Sequence, residues 1–440
     1  MNHDEPTRRF VEWVRAAAPY VHAFGGRTFV IGFGGEVAGG ERALALAQDC
    51  NLLAALGIRL VLVHGARPQI DAEMARRGLA SRFHHGERIT DAAALECVKA
   101  AVGVTRLEVE ALLSQGLPNT PMAGAYMRIT GGNFVTAKPV GVVDGIDYQF
   151  TGAVRKVIAE EIAADLDQEN VVLISPLGTS PSGEIFNLSM EEVATQTAVA
   201  LKAEKLVFLC DASGVTDERG ELVQYLTADE AEPLLQRPER LTEDLGLYLP
   251  RCIHAVRRGV NRAHLIDHDI DGGLLLEFFT HAGVGTVIAR DALAQVRDAS
   301  IDDVGAVLAL IAPLEADGTL VRRGRELLEM EIGHFSLLDH DGVIIGCAAL
   351  YPFPEEKSAE LACLAVKPEH RRTGYGEGLL SHIEARARRA GLERLFVLTT
   401  RTAQWFLERG FKDEGVEALP QQKRGLYNLQ RRSKVLVKPL

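Results

Sequence analysis

Two features of this sequence could together carry a group-transfer reaction. One is the run Arg371-Arg372-Thr373-Gly374-Tyr375-Gly376, and the other is the carboxylate of Glu360 on the strand pattern ahead of it. In "LACLAVKPEHRRTGYGEGLLSHIEARARRAG" (361–391) an apolar strand runs into the turn, and an amphipathic helix begins inside it. Such a turn exposes backbone N–H groups at the positive end of a helix. Its glycines let a ligand approach closely, which suits a pyrophosphate. The plainer reading is a Gly-rich strand-to-helix turn with no ligand.

With "LAV.P..R" before the turn and a strand, a helix and a "GF" tail after it, the segment resembles the acetyl-coenzyme A-binding loop of the GNAT acetyltransferases. The resemblance assigns Leu364, Ala365, Val366, Arg371, Arg372, Gly374, Tyr375 and Gly376 to acetyl-CoA binding. It also implies that an amine attacks a thioester carbonyl, an oxyanion forms and a thiolate leaves. Because α-amino groups titrate near pH ~8, the amine needs a base within reach or one water away. Glu360 is the candidate base, and N–H groups near Leu364–Val366 are the candidate donors to the oxyanion and the pantetheine arm. Tyr427 is the candidate general acid for the thiolate. Cys363 could act as a nucleophile, but a buried core thiol is the simpler assignment.

The tail suggests a substrate class. From Gln421 to Leu440 stand Lys423, Arg424, Arg431, Arg432, Lys434 and Lys438 with no acid, in a chain of formal net charge −12. Lys423, Arg424, Arg431 and Ser433 could form an anion pocket for a substrate bearing carboxylates. Arg323 and Arg325, in "TLVRRGRELLE", could supply the opposite wall. A solvated basic face remains the alternative for each cation.

These groups need a scaffold. The 440 residues are too many for one core, and 47% apolar with 25% charged residues is ordinary for a globular chain. The acidic balance argues against nucleic acid or an anionic membrane as a main partner. Six scattered cysteines without a CxxC pair suggest a reducing compartment. The polar start "MNHDEPTRRF" does not read as a secretory signal, and a cytoplasmic protein is expected. Apolar runs at 28–33, 58–64, 170–175, 205–210 and 263–267 alternate with helical patterns at 41–56, 67–78, 156–167, 189–203 and 252–261. That pattern predicts a parallel sheet covered on both faces. Residues 125–145 read as strand–turn–strand about Gly131-Gly132. Near 290 the pattern changes to a mixed α+β one, with a capping box at Ser300 and Asp303 and a hairpin at Asp341-Gly342. The expected division is an N-terminal helix (1–24) with an apolar stripe from Phe10 to Val21, an α/β domain (25–291) and an α+β domain (296–440).

Five segments in the large domain carry a second resemblance. "FVIGFGG", "LVLVHGARPQID", "ERITD", "NLSMEEVATQTAVALKAEKLVFLCDASGV" and "LLLEFFTHAGVGTVIARD" are similar, in this order, to the amino-acid kinase fold of N-acetylglutamate kinases. The departures matter. The kinases have Lys where Gly32 stands, HGGGP for "HGARP", Asp for Glu191, and Lys near Arg251. Phosphoryl transfer depends on positioning and on neutralising charge, so no ATP turnover is expected. Glu277, Thr280, Gly283, Gly285 and Thr286 match the effector segment of arginine-sensitive kinases, with Lys202, His264 and Leu265 in matching neighbourhoods. By that match Lys202, Glu277, Gly283, Gly285 and Thr286 are candidate arginine contacts, Glu277 taking the guanidinium and glycine-loop N–H groups the α-carboxylate.

A kinase-like parallel sheet sandwich fused to a GNAT α+β domain resembles the bacterial N-acetylglutamate synthases. The resemblance covers almost the whole chain. It implies acetyl transfer to L-glutamate as the first step of arginine synthesis, feedback inhibition by L-arginine, and a homohexamer joined through the N-terminal helix. Two other readings compete: an active amino-acid kinase with a GNAT appendage, and a non-catalytic regulatory or scaffold protein. No metal is expected. Asp267, Asp269, Asp271 and Gly272 mimic a calcium loop whose glutamate position is Phe278, and His84-His85 has no acidic or thiol partner at ligand spacing.

Overall fold

Apolar runs too continuous to leave one face wet become the central strands of an eight-stranded sheet. The computed structural model describes residues 5–40, 42–115, 127–280, 283–291, 294–340, 342–371, 374–425 and 433–440. They divide into two units, 1–291 and 292–440.

In the first unit the sheet order is Tyr225–Thr227, Thr286–Ala289, Arg262–Asp267, Lys205–Cys210, Thr28–Phe33, Arg59–His64, Val171–Ile174, Ile129–Thr130. Neighbours are parallel except Arg262–Asp267 against Thr286–Ala289. One apolar cluster on a face of this sheet gathers Val30, Val61, Leu206 and Phe208, and a second gathers Phe29, Ile31, Leu60 and Val207. Alternate residues of the same strands thus feed two cores, which is why the strands read as unbroken apolar runs. The helix Met190–Leu201 is capped by Ser189, whose hydroxyl accepts from Glu192 N.

The expected 125–145 hairpin is corrected. Ile129–Thr130 joins the large sheet, whereas Val135–Pro139 belongs to a four-stranded sheet and pairs antiparallel with Gly152–Val157. Gly131 marks a close approach: a Cβ there would lie 2.6 Å from Leu173 O. The N-terminal helix Glu5–Phe24 buries Ala17 and Phe24 but leaves Phe10 and Trp13 65% and 48% exposed. Among the described residues no helix is long and apolar enough to cross a membrane.

The second unit is a seven-stranded sheet in the order Ala294–Asp298, Phe335–His340, Val343–Phe353, Ser358–Val366, Arg394–Thr399, Lys434–Pro439, Lys412–Glu414. Only Ser358–Val366 and Arg394–Thr399 run parallel. The helix Tyr375–Arg389 packs Leu379, Leu380 and Ile383 onto Ile345, Leu361 and Leu395. The helix Val304–Ala316 packs Val307 and Ile311 with Leu337, Cys347 and Ala349. The Ser300–Asp303 capping box is present.

Candidate active site

The two parallel strands of the second unit pair only from Ser358↔Arg394 to Glu360↔Phe396. Beyond that point they part. Into the wedge opens a cavity of about 940 Å³, lined by Leu361–Leu364 and Val366 on one strand and Val397–Thr399 on the other. A bulge deepens the parting. Cys347 pairs with Ala365 but Ala349 with Ala362, so one residue, Ala348, faces two, and Cys363 takes φ +51°. Half-buried Leu364 and Val366 line the cavity, whereas Ala365 turns into the core beside Val307.

At the cavity mouth Gly374, φ +82°, starts the helix Tyr375–Arg389 without any side-chain cap. The N–H groups of its first turn are thus the kind a diphosphate can satisfy. Gly374, Gly376 and Arg371 line the cavity, and the Arg371 Nε donates to Val366 O at 3.2 Å. Tyr375 instead packs near His370. Opposite stand Trp405 and Arg409, whose guanidinium lies 4.0 Å over the indole and pairs with Glu377. Both were missed as site residues. They lie in a five-residue helix and its exit turn, and no motif in the chain flags a pair that meets a loop 30 residues away.

Glu360 occupies the last paired position of the wedge, is 8% exposed and lines the cavity. Its carboxylate meets Lys423 Nζ at 2.5 Å. Arg323 lines the same cavity, where its guanidinium donates to Val321 O at 3.3 Å, and its backbone N–H donates to Glu315 Oε1 at 2.7 Å. Ser433 also reaches it.

Several expected contacts go elsewhere. Arg325 is exposed and pairs with Glu329 at 2.8 Å. Arg424 donates to the carbonyls of Glu417 and Leu419. Lys434 pairs with Asp413 and Lys438 with Glu384. The tail is therefore not one anion pocket: Lys434 and Lys438 neutralise acids outside the cavity, and Arg424 is spent on carbonyls. Arg372, Tyr427, Arg431 and Arg432 lie outside the described residues. The Cys363 thiol is pushed up to about 11, chiefly by burial, which leaves little thiolate at neutral pH.

In the first unit, the glycine turn after Thr28–Phe33 lines a smaller cavity of about 130 Å³ with Gly34, Gly65, Arg67, Glu191 and Asp244. A Cβ on Gly32 would lie 2.8 Å from Met190 Sδ and 2.9 Å from the Phe208 ring. Met190 and Phe208 thus already fill the space that a side chain at position 32 would enter. Arg67 pairs with Glu243, and Arg88 with Asp71. Burial and the charge of Asp211 push Asp244 up to about 6. Acid-rich walls and engaged arginines make a poor phosphate site.

Glu277 lies elsewhere in this unit, with its side chain 2% exposed. Its Oε1 accepts from His264 Nδ1 at 2.7 Å, and its Oε2 from Val284 N at 2.7 Å and Gly285 N at 3.0 Å. The far ring nitrogen of His264 faces Lys205 Nζ at 3.3 Å, and that ammonium packs among the rings of Phe24, Phe29 and Phe278. Burial alone would raise the Glu277 pKa, but these donors outweigh it and bring it to about 2. Burial and the Lys205 charge lower His264 to about 4, so at neutral pH the ring is uncharged between a cation and a carboxylate.

Three expectations change here. Lys202 is exposed at a helix C-cap, and the lysine in the cluster is Lys205. Thr286 is held by Val215 N and Val223 O and serves the fold. The loop N–H groups expected for a ligand carboxylate go to Glu277, while Gly283, φ +63°, receives Glu277 Oε2 2.6 Å from where a Cβ would sit.

Comparison with known proteins places these two units in separate families. Residues 27–267 match the amino acid kinase family, and residues 312–411 match the acetyltransferase (GNAT) family. An amino-acid acetyltransferase of Ralstonia nicotianae is 54% identical over 433 residues, 98% of this chain and 96% of that protein. The amino-acid acetyltransferase of Azotobacter vinelandii is 51% identical over 434 residues, 98% and 100% of the two chains. N-acetylglutamate synthase from Neisseria gonorrhoeae, solved with coenzyme A and L-arginine, is 40% identical with a TM-score of 0.89, covering 98% of this chain and 99% of that one.

Proposed function

This chain belongs to the amino-acid acetyltransferases, and we propose that it moves the acetyl group of acetyl-CoA to the α-amine of L-glutamate in the wedge of the second unit. One observation carries the reading: the last paired residue of the parting strands is the buried Glu360, and the same cavity extends to the uncapped glycine turn at Gly374. A reacting amine and a diphosphate tail are thereby given separate ends of one cavity.

The diphosphate end of the cosubstrate lies at the first turn of Tyr375–Arg389 beside Arg371, where Gly374 and Gly376 leave the backbone open to it. Its pantetheine arm runs between Leu364–Val366 and Val397–Thr399, the strand edges that have lost each other. Glu360 takes the amine proton, directly or through one water. The amine nitrogen bonds to the acetyl carbon, the C–S bond breaks, and the thiolate takes up a proton. Tyr427 is assigned as the donor of that proton. Backbone N–H groups at the bulge stabilise the oxyanion. Arg323 and Lys423 with Ser433 meet the substrate carboxylates, with Arg431 as a further cation on the tail. The two carboxylates of glutamate need two cationic contacts, which selects it over amino acids with neutral side chains.

The first unit is assigned as the sensor. L-Arginine acts there as feedback inhibitor through Glu277, His264, Lys205 and the Gly283–Gly285 loop. The match of the effector segment and the neighbour solved with L-arginine support this. Because Glu277 is already satisfied, a guanidinium displaces the existing donors rather than filling an empty slot. The exposed Phe10 and Trp13 of the N-terminal helix suit a second copy of the chain, in keeping with a homohexamer acting in the cytoplasm.

The deciding assay follows coenzyme A release with glutamate, aspartate and ornithine as acceptors. Turnover with glutamate at least tenfold above the others supports the reading, and equal turnover with ornithine overturns it.

A further inference from the structure

Two short hairpins of the first unit meet at their tips. Phe83–His84 pairs with Glu87–Arg88, and Val142–Val143 with Ile146–Asp147. Each turns through a residue of positive φ followed by glycine: His85 (+50°) with Gly86 (+78°), and Asp144 (+52°) with Gly145 (+78°). His and Asp tolerate that backbone better than most residues, and such two-residue turns suit the strand twist. The turns aim His85 Nε2 at Asp144 Oδ2, 2.8 Å away. The adjacent His84 ring lies 4.0 Å, centroid to centroid, from that of His85. One ligand atom from each of His84, His85 and Asp144 falls within 4.8 Å of the others. The carboxylate that the sequence around His84-His85 lacks thus arrives from 59 residues away.

The partner of His84 decides what this cluster is prepared to hold. Tyr148, 3% exposed, donates its single hydroxyl proton to the His84 carbonyl at 3.1 Å. Its oxygen therefore accepts in the 2.8 Å contact with His84 Nδ1. That places the ring proton on Nδ1 and the lone pair on Nε2. A histidine whose second nitrogen is fixed by a buried hydrogen-bond partner is the arrangement that orients metal-binding imidazoles.

We propose that His84, His85 and Asp144 bind a divalent first-row transition metal of the zinc class. Two imidazoles and a carboxylate are its ordinary donors, with water completing the shell. Small rotations of these side chains bring the donors to about 3.3 Å apart, the edge of a tetrahedron with bonds of ~2.0 Å. The ion takes the place of the hydrogen bond between His85 Nε2 and Asp144 Oδ2, with the ring proton of His85 carried on Nδ1. It staples the two hairpins. Phe83, Gly86, Glu87 and Arg88 of the first also line the small cavity at Gly34 and Gly65, so the staple fixes one rim of that cavity.

The test uses the full chain, untagged and stripped with chelator, titrated with Co²⁺ and then Zn²⁺. The expected result is one equivalent of cobalt with d–d absorption and no thiolate charge-transfer band, since all six cysteines are buried. Zinc displaces it and raises the melting temperature. His84→Ala, His85→Ala and Asp144→Ala each weaken binding at least tenfold. Tyr148→Phe, which keeps every ligand, weakens it about 10- to 100-fold. Two results overturn the proposal. One is no saturable cobalt binding in the parent. The other is binding indifferent to these substitutions but lost in Asp267→Asn, which breaks the second grouping of possible ligands among the described residues, Asp267, His268 and Asp269.

Discussion

Lys423 Nζ lies 2.5 Å from Glu360 Oε2, joining a cation of the C-terminal segment to the carboxylate at the apex of the strand wedge. The pair faces the cavity, so a substrate carboxylate can draw Lys423 away and leave Glu360 to take a proton. Replacing Lys423 by Ala is expected to raise the KM for glutamate about tenfold or more, the cost of one charge-assisted contact. Initial-rate kinetics with acetyl-CoA saturating check this, and an unchanged KM removes Lys423 from the substrate contacts.

Arg323 and Arg325 are two residues apart but have different fates. Arg323 lines the cavity and donates to Val321 O, whereas Arg325 is exposed beside Glu329. Arg323→Ala should raise the KM for glutamate about 10- to 100-fold. Arg325→Ala should change neither kcat nor KM measurably and cost at most about 0.5 kcal/mol of stability. Equal effects of the two substitutions would show that the cavity wall is misassigned.

Glu277→Gln keeps the shape of the buried side chain but gives up its charge and turns one acceptor into a donor. The arginine concentration for half-inhibition is expected to rise at least tenfold, read as the ratio of inhibited to uninhibited turnover in the same preparation. A variant as sensitive as its parent places the effector elsewhere.

Asp49 is buried, and burial with the Asp271 charge raises its pKa to about 6 against a backbone N–H from Leu274 that lowers it. A carboxyl with a raised folded pKa binds its proton more readily folded than unfolded. Its cost is therefore present above pH 6 and fades as pH falls toward its ordinary value of 3.8. Asp49→Asn, which can still accept from Leu274, should stabilise the protein by about 1–2 kcal/mol at pH 7 and by nearly nothing at pH 4. Urea unfolding at the two pH values checks the sign. A stabilisation that grows on acidification contradicts it.

The parts written in contiguous residues were legible in the sequence. The glycine turn at Gly374 announces itself because strand, turn and helix start follow within a few residues. Glu360 stands out as the carboxylate on that strand. Gly32 reads as a lost cation, and the packing of Met190 and Phe208 shows the position is also filled. Meetings across the chain were not legible. Lys423 was visible as a cation, but its bond to Glu360 spans 63 residues. Lys202 and Lys205 differ by three residues in one run. Only the helix end at Lys202, with φ +48°, and the strand start at Lys205 decide which of them turns inward. The Gly131-Gly132 pair reads as a hairpin turn, because local residues cannot reveal that their flanking strands enter different sheets.

Acetyl transfer at the strand wedge is assigned to Glu360 as base. The pH dependence of kcat/KM for glutamate, compared between the parent and Glu360→Gln, decides that assignment. We expect the variant to lose about 10²- to 10⁴-fold in rate together with the low-pH limb of the profile. A variant that keeps that limb and a near-parental rate would contradict the account.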